Sequence, residues 1–80
     1  MTRYAIVIYK ANGTYSAHVI DVDGCIATGR TIEETKANMR DALEFHFEGM
    51  IENRETIPEP GAIVEYVEVE LPTPAKAKQA

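Results

Sequence analysis

Residues 4–10, Tyr4-Ala-Ile-Val-Ile-Tyr-Lys10, put large apolar side chains on both faces of one extended segment. Successive side chains of a strand point to opposite faces, so Tyr4, Ile6 and Ile8 share one face while Ala5, Val7 and Tyr9 share the other. Both faces of such a strand require cover. The rest of the chain must either supply two covering layers or leave one face for another chain.

Asn12-Gly13 suits a type I′ hairpin turn, and Tyr15-Ser-Ala-His-Val-Ile-Asp-Val22 is the returning strand. Asp23-Gly24 forms a second turn into a short third strand, Cys25 to Thr28, which Gly29 and Arg30 end. Thr31-Ile-Glu-Glu34 has the form of a capping box: the Thr31 hydroxyl accepts from the Glu34 amide and the Glu34 carboxylate reaches back to the Thr31 amide. Ile32, Thr35, Met39, Ala42, Leu43, His46, Phe47 and Met50 then recur at helical spacing, predicting a helix through about Ile51 with one apolar face. At about 1.5 Å per residue, it spans roughly 30 Å, enough to cross a small sheet. Asn53 to Gly61 is a loop around Ile57-Pro58-Glu59-Pro60, and Ile63 to Leu71 is expected as a fourth strand, alternating from Glu65 onward. Pro72 to Ala80 has no apolar anchor and is expected as a disordered tail.

The order βββαβ predicts an α+β, two-layer domain over residues 1–71. Its single helix covers one sheet face. Another copy of the chain or a partner is expected to cover the second, which predicts a homo-oligomer, dimer or tetramer. Eighty residues leave no room for a second folded module, and the longest apolar run is far short of the roughly 20 residues of a membrane span. Residues 1–3 lead into the first strand with no cleavage site, and the lone Cys25 cannot form an internal disulfide, so a reducing cytoplasm is expected. The sequence holds no metal-ligand cluster, and no cofactor is expected.

Thirteen Asp and Glu against eight Lys and Arg give a net charge of −5, but the imbalance is local. Residues 33 to 70 hold eleven acids against Lys36, Arg40 and Arg54, whereas residues 1 to 32 are slightly basic. A surface of this sign does not neutralise phosphates, so no direct nucleic-acid binding is expected, and a basic protein is the better-matched partner. Acidity also serves solubility alone.

Asp21-Val-Asp-Gly-Cys25 followed by Gly29, then Thr31-Ile-Glu-Glu34, then Ile57-Pro58-x-Pro60, together resemble the HicB family of antitoxin-like proteins over roughly residues 4 to 70. Asp23 stands where that family commonly has proline. The resemblance implies a degenerate ribonuclease-H-like half-fold with sheet order 3-2-1-4, in which the doubly apolar first strand is central and the short third strand lies at an edge. It implies a non-catalytic protein that binds and neutralises a small basic RNA-cleaving toxin of the HicA type. Many such proteins also repress their own operon through a C-terminal DNA-binding segment. Nine residues after Leu71 are too few for one, so operator binding is not expected of this chain. The alternative is a stand-alone oligomeric structural or regulatory protein with no toxin partner.

The candidate partner-binding residues are Glu44, Glu48 and Glu52 on the helix, Tyr66, Glu68 and Glu70 on the last strand, and His18 on the second. Glu44, Glu48 and Glu52 stand four apart with no lysine among them, a spacing that costs a helix about 0.2–0.5 kcal/mol per like-charged pair. A docking surface for a basic partner accounts for that arrangement, as does a simple solvated face. Asp21 and Asp23 invite a two-metal nuclease reading, but two metals need more ligands than a strand-end pair offers. Turn chemistry is the expected role of Asp21, Asp23 and Gly24. Cys25 is expected to pack as a small apolar group, Thr31 and Glu34 to cap the helix, Pro58 to shape the loop, and His46 to sit on the helix's apolar face.

Overall fold

The structure is a computed structural model, and it describes residues 1–73. The expected tail therefore lies almost wholly outside the described residues. Asn12 and Gly13 have φ of 55° and 80°, the left-handed pair that a type I′ turn demands. This turn joins β1 (Ile6–Ala11) to β2 (Thr14–Val19). Ile6 pairs with Val19, Ile8 with Ala17 and Ala11 with Thr14. A second turn, with Gly24 at φ 78°, leads into β3 (Ile26–Gly29), which pairs antiparallel with β2.

The helix α1 (Ile32–Glu52) starts at Thr31, whose Oγ1 accepts from the Glu34 amide at 2.9 Å. The reciprocal half of the box differs by one residue from expectation, since the Glu34 carboxylate accepts from the Arg30 amide instead of Thr31's. Thr35, fully buried, donates from Oγ1 to the Thr31 carbonyl at 2.7 Å. It lies so close to Gly29 that a Cβ there would stand 2.5 Å from the Thr35 hydroxyl oxygen. Gly29 thus belongs to β3 and lets the helix start press onto the strand end. Asn38 adds a 2.7 Å bond from its amide to the Thr28 carbonyl.

Ala17, Val19, Val22, Cys25, Ala27 and Met39 form the core, with Tyr4, Ile6, Ile8, Ala42, Leu43 and Phe47 packed around them. The helix covers the face of β1 that carries Ile6 and Ile8. The opposite face holds Tyr9, Ile20 and Ile26, which remain 60%, 45% and 67% exposed. After α1 the chain turns at Arg54 (φ 60°) and returns beneath the sheet end, where the Tyr4 hydroxyl donates to the Pro58 carbonyl at 2.7 Å.

Two expectations about the sheet need correction. Among the described residues the sheet has three strands, in the order β1-β2-β3, so β1 lies at an edge and not at the centre of a 3-2-1-4 arrangement. Ile63 to Leu71 forms no ladder, and Ile63, Tyr66, Val67 and Leu71 are each more than four-fifths exposed. Strand propensity alone does not make a strand, because it expresses packing against a neighbouring strand and a covered face. Among the described residues this arm has neither. The radius of gyration, 16.9 Å against about 12 Å for a compact chain of this length, and a longest dimension of 57 Å agree with a segment standing off the body.

Candidate functional site

Glu44, Glu48 and Glu52 line one exposed side of α1, as their four-residue spacing dictates. The last turn of α1 contains no basic residue, so the helix dipole adds to the negative potential there. This side of the helix is therefore predominantly acidic, flanked by exposed Arg40 before the row and Arg54 after it. His18 lies elsewhere, on the uncovered face of β2, where its ring stacks on Tyr9 with centroids 5.9 Å apart and planes at 21°. Tyr66, Glu68 and Glu70 ride on the exposed arm. The single chain thus gives the candidates three separate supports: the outer side of the helix, the open sheet face, and the arm.

Asp21 acts over a longer range than a turn. Its Oδ2 accepts from the amides of Gly61 and Ala62 at 3.1 and 3.2 Å, forty residues further along, and so pins the root of the arm to the end of β2. Asp23 is exposed beside Gly24 in the turn. Cys25 is buried, its Sγ 3.9 Å from the Met39 sulfur, and burial pushes its thiol pKa up. A thiol so placed favours its neutral form and is a poor nucleophile. Among the described residues no three His, Cys, Asp or Glu side chains are grouped to hold a metal ion. No helix there is long and apolar enough to cross a membrane.

Two open grooves flank the sheet. One, of about 380 Å³, runs between β3 and the helix end and is lined by Ile26, Phe45, His46 and Met50. Phe45 is 78% exposed and was not a candidate from sequence, although an aromatic lying off the apolar face of a helix was a usable signal. His46 lies half-buried with its ring 6.2 Å from that of Phe47. The other groove, of about 480 Å³, separates Ile6, Val7, Ile8 and Ile20 from the arm root at Ala62 to Tyr66. Both are apolar-walled and open, which suits protein contact better than small-molecule capture.

Residues 4–71 match the family described as HicB_like antitoxin of bacterial toxin-antitoxin system. An uncharacterized 14.9 kDa protein in the rep-hol intergenic region of Haemophilus phage HP1 (strain HP1c1) is 41% identical over 64 residues, covering 80% of this chain and 48% of that protein. UPF0150 protein Ta0767 of Thermoplasma acidophilum is 30% identical over 61 residues, covering 75% of this chain and 88% of its own length. The chain thus spans about half the length of the phage relative. No solved structure matches. The match across nearly all of the folded part settles the family: the chain belongs to the HicB-like antitoxins of bacterial toxin-antitoxin systems.

Proposed function

We propose that this chain is a non-catalytic antitoxin domain that sequesters a small basic RNA-cleaving protein of the HicA type in the cytoplasm. The observation that carries the reading is the acidic side of α1, where Glu44, Glu48 and Glu52 repeat with no intervening base and all face solvent. Such a row costs helix stability and is repaid when a basic surface docks on it. Carboxylates there take the place of RNA phosphates against the toxin's cationic face, and Tyr66, Glu68, Glu70 and His18 extend the contact. Steric cover of the RNA-binding face then suffices for inhibition, with no chemical step by this chain. Self-association belongs to the same reading, since the open sheet face keeps Tyr9, Ile20 and Ile26 exposed. The four-stranded, ribonuclease-H-like arrangement of order 3-2-1-4 is the fold proposed for the assembled state.

The test is recovery of a tagged chain from its native host. The expected companion is a small basic protein whose ribonuclease activity the chain suppresses, with suppression weakened at least tenfold by Glu44→Lys with Glu48→Lys and by raised salt. A chain that retains no such protein, or suppression indifferent to both substitutions, would overturn the reading. An oligomer with no exchangeable companion would instead fit a stand-alone structural or regulatory protein.

A further inference from the structure

We infer that the arm, Ile63 to Leu71, is an exchanged strand: it seats in the groove along the open edge of β1 in a second copy of the chain, and the second copy's arm does the same in return. The edge is ready for it. Ile20 donates its amide to the Ala5 carbonyl, and hydrogen-bonded pairs recur every second residue along an antiparallel ladder. Val7, Tyr9 and Ala11 therefore turn their backbone groups toward β2, while Ile6, Ile8 and Lys10 turn theirs outward. A row of unpaired amides and carbonyls on an apolar edge is a template for another strand. The groove beside it, about 480 Å³, is walled by Ile6, Val7, Ile8 and Ile20 on one side and by the root of the chain's own arm, Ala62 to Tyr66, on the other, so the incoming strand seats between the two.

The arm fits this edge by pattern and by charge. Nine residues reach roughly 30 Å in extended form, longer than the six residues of β1. Ile63, Val67, Val69 and Leu71 fall on one face, with Glu65 the single charged member, and Val64, Tyr66, Glu68 and Glu70 fall on the other. The arm carries three glutamates and no base, whereas residues 1–20 carry Arg3 and Lys10 and no acid. Attraction therefore directs an arm to β1, and repulsion between glutamates discourages pairing of one arm with another. Reciprocal burial of six large apolar side chains from each copy comes to on the order of 1,000 Å², the scale of a specific interface.

The chain's own arm is held away from that position. Asp21 clamps Gly61 and Ala62, and Pro58 and Pro60 stiffen the loop that leads to them. From this root the arm leaves its own body, with Val67, Val69 and Leu71 at 85%, 72% and 82% exposed. A stiff hinge followed by an unpaired strand is the usual setting for exchange between identical chains.

Exchange also assembles a surface that one chain lacks. The apolar face of the arm turns to the helix-covered side, next to Ile6 and Ile8. Tyr66, Glu68 and Glu70 of the second copy then join Tyr9 and His18 on the open face. Candidates that the single chain holds on two supports, the arm and the open sheet face, meet across the dimer, a step that rests on the toxin-binding reading where the exchange itself does not.

Light scattering of the full chain is expected to give about twice 8.9 kDa. Isotope-filtered NMR on a mixture of labelled and unlabelled chains is expected to show contacts from Val67 and Val69 of one chain to Ile6 and Ile8 of the other. Val67→Pro, which interrupts the extended arm, or Ile8→Pro, which removes an outward-facing amide of the edge, is expected to raise the dimer dissociation constant at least tenfold. Proline is tolerated where the amide faces away from the ladder, so unchanged helical circular dichroism confirms that the body still folds. A monomer whose arm closes on its own β1, a dimer without arm-to-β1 contacts, or a dimer indifferent to both prolines would each overturn the inference. Suppression of a ribonuclease is read separately, so loss of that activity with the exchange intact counts against the toxin reading alone.

Discussion

The body of the chain and its arm are similar in composition yet opposite in state. In the body, Ala17, Val19 and Met39 are at most 4% exposed, and in the arm Val67 and Leu71 exceed 80%. Both are strand- or helix-forming and rich in Val, Ile and Leu. The difference is in partners: β2 has a neighbour on each edge and a helix above it, whereas the arm pairs with no strand among the described residues. Hydrophobicity specifies that a segment will be buried, and connectivity decides by which chain. That division is the basis of the proposed exchange, in which a second chain completes the sheet.

Substitutions that weigh the two regions should fall in a definite order. Met39→Ala empties the centre of the core and is expected to cost about 3 kcal/mol in urea denaturation. Gly29→Ala is next, at about 2 kcal/mol, because a Cβ at 2.5 Å from the Thr35 hydroxyl oxygen and 2.7 Å from its amide nitrogen forces the helix off β3. Thr31→Ala deletes the helix cap and should lower stability by about 1 kcal/mol. Val69→Glu in the arm, measured at a dilution where the chain is monomeric, should stay within about 0.5 kcal/mol of the parent. A large loss there would erase the contrast between body and arm.

The smallest effect concerns pH. Burial raises the Cys25 thiol pKa in the folded chain, so the unfolded chain releases its proton first as pH rises. Stability from this group is complete below the ordinary thiol pKa and declines as pH climbs through the folded value. Denaturation midpoints across the alkaline range should show that decline, and Cys25→Ala should remove it.

The parts legible from sequence were those fixed by local rules. Asn12-Gly13 specified its turn, Thr31 and Glu34 specified the helix start, and the 3.6-residue spacing of Thr35, Met39 and Leu43 located the buried side of α1 within a residue or so of its observed end. Gly29 was misassigned as a breaker because its role is steric, toward Thr35 in another element, and glycine reads the same in either role. Asp21 likewise gave no sign of its bonds to Gly61 and Ala62, since a contact between residues forty apart leaves no local pattern. The fourth strand was overassigned for the same reason: Ile63 to Leu71 has the alternation of a strand, but alternation carries no information about whether a ladder partner lies in the same chain. For the candidate site, the acidic row was readable from spacing. The exposure of Phe45 and the stacking of His18 on Tyr9 on the open sheet face required the fold.

Residue-resolved amide exchange at two chain concentrations, one above and one below self-association, tests the contrast most directly. Amides of β2 and of Met39 should be protected equally at both, whereas alternate amides along Val64 to Val69 should gain protection only in the concentrated sample, together with those of Ile6 and Ile8. Arm amides protected to the same degree at both concentrations, or exposed at both, would contradict a body that folds alone and an arm that takes its structure from a second chain.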